Sequence, residues 1–192
     1  MFKVIKEKKV FDDRLIIEKA KIAYKNKKFS RLKVKREDAV AVLIFNTDTN
    51  KIILTKQFRY PIASKTKQHI LEIVAGKIDK GEKPLRTAIR EVEEETGNKI
   101  KPKNITFLLS CFSTPGYSSE CFFFYYATVS NADKVSENHG LEKENEYIEL
   151  VEISIVEFAK RIETGKIKDA KTYIAGLYLY SHLIFKNKSK SI

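Results

Sequence analysis

The chain contains no tryptophan, one methionine, two cysteines, four prolines and only seven glycines. Two cysteines cannot build a disulfide framework, and Cys111 and Cys121 show no CxxC spacing. Both sit in apolar, strand-like runs, which reads as ordinary buried thiols. The three histidines, His69, His139 and His182, stand too far apart for a local zinc signature. So few glycines and prolines exclude a linker-rich or disordered chain. The longest apolar run, residues 121–129, falls well short of a bilayer span. The opening MFKVIKEKKVF lacks the apolar core of a signal peptide. A soluble cytoplasmic protein with no membrane partner is expected.

What is present is charge and a sufficient core. At 192 residues with 43% hydrophobic side chains, one well-packed domain is expected without covalent staples. Thirty-seven Lys and Arg against 25 Asp and Glu give a net charge of +12, which favours anionic partners in general. The lysines are scattered, as at Lys21, Lys25, Lys27, Lys28, Lys33 and Lys35. With no ribonucleoprotein motif, helix-turn-helix cue or zinc finger, they read as solubilising surface, and nucleic acid is not the expected partner.

Residues 2–36 alternate in a strand-like way around Asp12-Asp13 and Asn26, predicting two or three antiparallel strands. Residues 39–45 and 51–58 predict a hairpin across the polar 46–50, and 70–75 a short strand running into Gly76. Leu85, Ala88, Ile89 and Val92 recur with helical period, so 83–96 reads as a helix. Pro84 suits its first turn and Gly97 its C′ position. Strands follow at 105–112, 120–129 and 148–153. Ser154 and Glu157 form a capping-box pattern for a helix ending at Gly165, and a last helix spans 169 to about 185. This order is α+β, a mixed sheet flanked by helices, rather than strict βαβ alternation.

The chemistry concentrates in GKIDKGE (76–82) and, seven residues on, REVEEETG (90–97). On a helix, Glu91 lies three residues from Glu94 and four from Glu95, so all three carboxylates share a side next to the apolar stripe. Acids this close repel unless a cation sits among them, and hard divalent ions shared with phosphates take such oxygens. Gly76 permits a sharp backbone turn, and the Ala75 carbonyl could be a further oxygen ligand. Arg90 can clamp carboxylates with its planar fork and hold the loop on the helix.

This spacing resembles the Nudix box, G-x5-E-x7-R-E-U-x-E-E-x-G-U with U apolar, at every fixed position from Gly76 to Gly97. The departure is Asn98, where an apolar residue is usual. Residues 71–76 (LEIVAG), 57–59 (QFR), 114–116 (TPG) through Glu120, and 142–148 (EKENEYI) are similar to the subfamily of ADP-ribose diphosphatases and their GDP-sugar-cleaving relatives. Residues 164–167 and the last helix match as well, so the resemblance covers nearly the whole chain. The loop proline, Pro115, lies about two residues further from the box than in the strict ADP-ribose pattern, which leaves the sugar open.

The resemblance implies a Nudix α/β/α sandwich with a mixed sheet (residues 38–192), preceded by a small N-terminal antiparallel β segment (1–37) that helps build a homodimer. It implies Mg²⁺-dependent (Mn²⁺ as substitute) hydrolysis of ADP-ribose or another nucleotide sugar. Glu91, Glu94, Glu95, Glu146 and the Ala75 carbonyl would bind metal, Glu144 would be the general base, and Glu95 and Arg90 would serve catalysis. Gly76, Glu82 and Gly97 would shape the loop-helix-loop. Arg36, Arg59, Glu72 and Glu120 would contact substrate, Arg36 by reaching a pocket shared with a partner subunit. The rival readings are a Nudix enzyme for another compound, a non-catalytic ADP-ribose-binding regulatory module, and a nucleic-acid-binding protein.

Overall fold

The computed structural model describes residues 1–136 and 147–188, with side chains up to Ser181. The first 35 residues form their own antiparallel sheet of three strands, β1 (Lys3–Asp12), β2 (Ile16–Tyr24) and β3 (Lys27–Lys35), in that order. Register in β1 jumps between Val4 and Lys6 and again between Lys9 and Phe11. Residues paired directly across a ladder share a face. The two bulges therefore bring Lys3, Lys6 and Lys8 to the side of Lys19, Lys21 and Lys28, while Glu7, Lys9 and Asp12 join Glu18, Lys33 and Lys35. The second face is laced by Lys33, 3.1 Å from Glu7 and 2.6 Å from Glu18. Lysines that look scattered in the sequence are thus sorted by register.

A second, mixed sheet builds the core. Its strands are β4 (Ala39–Asn46), β5 (Lys51–Gln57), β6 (Ile70–Glu72), β7 (Val74–Lys77), β8 (Ile105–Phe112), β9 (Cys121–Val129) and β10 (Glu149–Ser154). The main path is β10-β5-β4-β9-β8, with β4 and β9 parallel and the other pairs antiparallel. Side chains of β4 alternate with period two, as pleating requires. Val40, Val42 and Ile44 join Ala88 and Val92 of α1 (Pro84–Thr96) in one core cluster. Ala41 and Leu43 join Phe158 and Ile162 of α2 (Ile155–Glu163) and Ala175 of α3 (Ala170–Lys188) in the other. A strand buried on both faces needs the unbroken apolar run that residues 39–45 supply. The result is the expected α/β/α sandwich, with the three-stranded sheet beside it.

Residues 70–77 decide where the site lies. They run as one strand interrupted at Ile73, pairing first with β5 (Thr55 opposite Glu72) and then with β4 (Val40 opposite Gly76). The ladder continues through Gly76 to Lys77, two residues beyond the sequence expectation, because β4 still offers partners there. In α1, Pro84 opens the helix and Gly97 closes it at φ 68°, a left-handed conformation that a side chain would strain. The stripe is rotated from the expected one: Ala88 and Val92 are fully buried, whereas Leu85 in the first turn is 39% exposed. Asn98 is buried without strain, its amide donating to the Thr96 hydroxyl at 3.0 Å and carbonyl at 3.3 Å. Half of the capping box forms at α2. Ser154 accepts from the Glu157 N–H at 3.2 Å, while the Glu157 carboxylate takes Arg161 instead, at 2.7 Å.

Candidate active site

A cleft of about 630 Å³ opens beside the β6–β7 strand and the first face of α1. It gathers residues from distant parts of the chain: Arg36, Arg59, Glu72, Ala75, Gly76, Arg90, Glu91, Glu94, Glu95 and Glu120 all line it. Glu82 and Gly97 sit at the two ends of the loop-helix unit and do not line the cleft. Glu144 and Glu146 lie outside the described residues.

Helical spacing puts Glu91 and Glu94 half-buried on the cleft wall, but Glu95 is only 5% exposed. That buried position differs from the flanking one the sequence suggested, because the stripe is rotated toward Glu95. Gly76 and Glu91 sit close: a methyl group at Gly76 would overlap the Glu91 carboxylate where it stands and push it aside. Arg90 ties the unit together. Its Nη1 donates to Glu91 at 2.7 Å and Glu94 at 2.8 Å, and its Nη2 donates to Glu82 at 3.1 Å and the Lys77 carbonyl at 3.4 Å. Partial burial works against the Arg90 charge, but Glu82, Glu91 and Glu94 outweigh it and push its pKa upward. Hydrogen bonding from Arg90 in turn holds the Glu82 carboxyl below its ordinary range.

The rest of the lining sets the bases Arg36, Arg59, Lys168 and Lys171 among the acids Glu72, Glu120 and Asp169. Arg36 reaches Glu120 at 2.9 Å, and its backbone is pinned by the Ser119 hydroxyl on both N–H and carbonyl, each at 2.9 Å. Arg59 forks onto Glu72, Nε at 2.7 Å and Nη2 at 3.0 Å. Sequence reasoning missed Phe122, Lys168, Asp169 and Lys171, which also line the cleft. Lys171 sits 2.7 Å from Asp169 and 3.1 Å from Glu72. The D-x-x-T pattern of Asp169 and Thr172, an N-cap signature, was the local signal available for them.

The arrangement also shows which family this is. A family model described as NUDIX domain matches residues 35–173, and the chain belongs to the Nudix family of hydrolases. It is 39% identical to an ADP-ribose pyrophosphatase of Bacillus subtilis (strain 168) over 146 residues, 76% of this chain and 74% of that protein. It is 33% identical to a methanol dehydrogenase activator of Bacillus methanolicus over 187 residues, 97% of this chain and 96% of that one. A crystal structure of an ADP compounds hydrolase shares the fold at TM-score 0.76 and 20% identity, covering 96% of this chain and 95% of that one.

Nudix hydrolases generally use divalent metal ions, and the residues here fit such an ion in donor chemistry. Three carboxylates, with Ala75 lining the same cleft, offer oxygen donors of the kind a hard cation takes. Among the described residues, however, no three acidic, histidine or cysteine side chains are arranged as a metal cage. Arg90 holds one oxygen of Glu91 and one of Glu94, so it competes with a cation for those two carboxylates.

Proposed function

We propose that this chain hydrolyses the diphosphate bond of a nucleoside diphosphate sugar: ADP-ribose, giving AMP and ribose 5-phosphate, with GDP-mannose the alternative substrate. The observation that carries this reading is the mixed-charge cleft, in which the Glu91, Glu94 and Glu95 carboxylates share one space with Arg36, Arg59, Lys168 and Lys171. A diphosphate linked to two sugars needs both: acids to hold a cation against the bridge and bases to take the flanking anionic oxygens. The identity with an ADP-ribose pyrophosphatase supports that substrate first.

Glu91, Glu94, Glu95, Glu146 and the Ala75 carbonyl are the proposed ligands of Mg²⁺, with Mn²⁺ as substitute. Bound there, the ion would neutralise the diphosphate oxygens and acidify a water. Glu144 is the proposed general base, taking the proton from the water whose oxygen joins phosphorus as the bridging P–O bond breaks. Arg90 orders the acids, and Glu95 serves the chemical step as well as the metal. Glu82, Gly76 and Gly97 shape the loop-helix unit. Arg36, Arg59, Glu72 and Glu120 hold the substrate.

Residues 1–37 are the proposed homodimerisation segment and 38–192 the catalytic domain. Phe2 and Val4, on one face of that segment, are 64% and 58% exposed, apolar surface that a second copy would cover. The free thiols of Cys111 and Cys121 suit the reducing cytoplasm. The Bacillus methanolicus relative's name supports a second reading, a role in activating a dehydrogenase.

The test is hydrolysis of ADP-ribose, GDP-mannose, NADH and diadenosine polyphosphates with Mg²⁺, comparing wild type with Glu95→Gln and Glu144→Gln. Fastest cleavage of ADP-ribose, lost in both variants, is expected. NADH cleaved best would favour a Nudix enzyme for another compound. Binding of ADP-ribose without cleavage of any compound would replace the enzyme with a binding module.

A further inference from the structure

Part of the cleft lining is a chain of alternating charge, Asp169, Lys171, Glu72 and Arg59. Glu72 is 2% exposed, and both its oxygens are occupied: Oε1 by Arg59 Nε, Oε2 by Arg59 Nη2 and Lys171 Nζ. Lys171, its side chain 17% exposed, supplies the second positive charge. Its own place is fixed by Asp169, whose other oxygen accepts from the Thr172 N–H at 2.9 Å and hydroxyl at 2.7 Å. The same hydroxyl accepts from the Ile73 N–H at 2.8 Å, at the interruption between β6 and β7. The first turn of α3 is therefore pegged to the strand that carries Ala75 and Gly76, one lysine away from the fork that aims Arg59.

We infer that Lys171 is a positioning residue for substrate binding: through Glu72 it fixes the orientation in which the Arg59 guanidinium meets an anionic oxygen of the substrate. This rests on the nucleotide-sugar reading above. Nothing in it requires Lys171 to touch the reacting atoms. The competing account is a buried ion pair that serves stability alone. The two differ in where a substitution is felt. A positioning role appears in KM, because Arg59 contacts the flanking phosphate oxygens in ground state and transition state alike.

The test measures kcat and KM for ADP-ribose in wild type, Lys171→Met, Lys171→Arg, Arg59→Lys and the Lys171→Met/Arg59→Lys double variant, with Tm for each. Lys171→Met should raise KM about tenfold with kcat changed less than about twofold, and Lys171→Arg should restore most of the loss. The double variant should be no worse than Arg59→Lys alone, since both changes act through one contact. A folded Lys171→Met with wild-type KM, or losses that multiply in the double variant, would overturn the inference. Should Lys171→Met fail to fold, Asp169→Asn, which loosens Lys171 while keeping its charge, must show the same KM-selective loss, and a wild-type KM there overturns it equally. A wild type that cleaves no nucleotide sugar instead sinks the reading of function on which the inference rests.

Discussion

The two sheets of this protein behave as opposites. In β4, seven of eight residues are buried, while all ten residues of β1 are exposed. The difference is cover. The core sheet has α1 on one face and α2 and α3 on the other, so each apolar side chain meets another and leaves water. Among the described residues, no helix packs extensively against the three-stranded sheet. It touches the core mainly where Val34 exchanges hydrogen bonds with Tyr117 and Ser119, at 2.7 and 3.1 Å. Strand pattern alone thus makes a sheet, whereas stability comes from what is packed on it.

The largest effect that would break this comparison is in the site that the core sheet carries. Glu95→Gln should lower kcat by about 10³-fold while leaving Tm unchanged or higher, because one of several crowded acids is neutralised where function and stability conflict. A matching fall in Tm would mean that Glu95 serves packing. Next, Leu43→Ala in the buried face of β4 should cost about 3 kcal/mol by urea denaturation. The equivalent Leu32→Ala in the exposed sheet should cost less than about 0.5 kcal/mol in the monomer. A large loss at Leu32 would show that this sheet is covered in solution and would strengthen the dimer proposal.

Hydrogen exchange sharpens the same contrast: amides of β1 should exchange at least ~100-fold faster than those of β4. The smallest effect is a pH dependence at the turn after β9. There the backbone N–H and hydroxyl of Ser130, both 2.7 Å away, hold the Asp133 carboxyl below its usual range. A depressed pKa contributes stability above the unfolded value and loses it as pH falls through the folded one. The stability gap between wild type and Asp133→Asn should therefore be constant near neutrality and close below about pH 4.

The helix and its acids were legible in the sequence because they are local. Period 3.6 fixes Glu91, Glu94 and Glu95 on one side whatever surrounds them, and Pro84 and Gly97 mark the ends by backbone chemistry alone. The rotation of the stripe, which left Leu85 exposed and Glu95 buried, was not legible, because it depends on how α1 seats on β4 and β7. Nor was the role of Lys171, which meets Glu72 across 99 residues of chain. Its own neighbourhood, Asp169 to Thr172, reads simply as a helix cap.

By itself, the sequence determined the strands, the three helices, the metal-type acids with Arg90 among them, and the family they point to, since each rests on spacing within a turn or two. Only the tertiary structure decided that Arg36, Arg59, Glu72 and Lys171 stand across the same cleft, and which lysines of the first sheet share a face. Those outcomes depend on register and on which strand wedges between β4 and β5. Register follows from side chains far apart in the chain competing for the same buried space, a quantity that no local window contains.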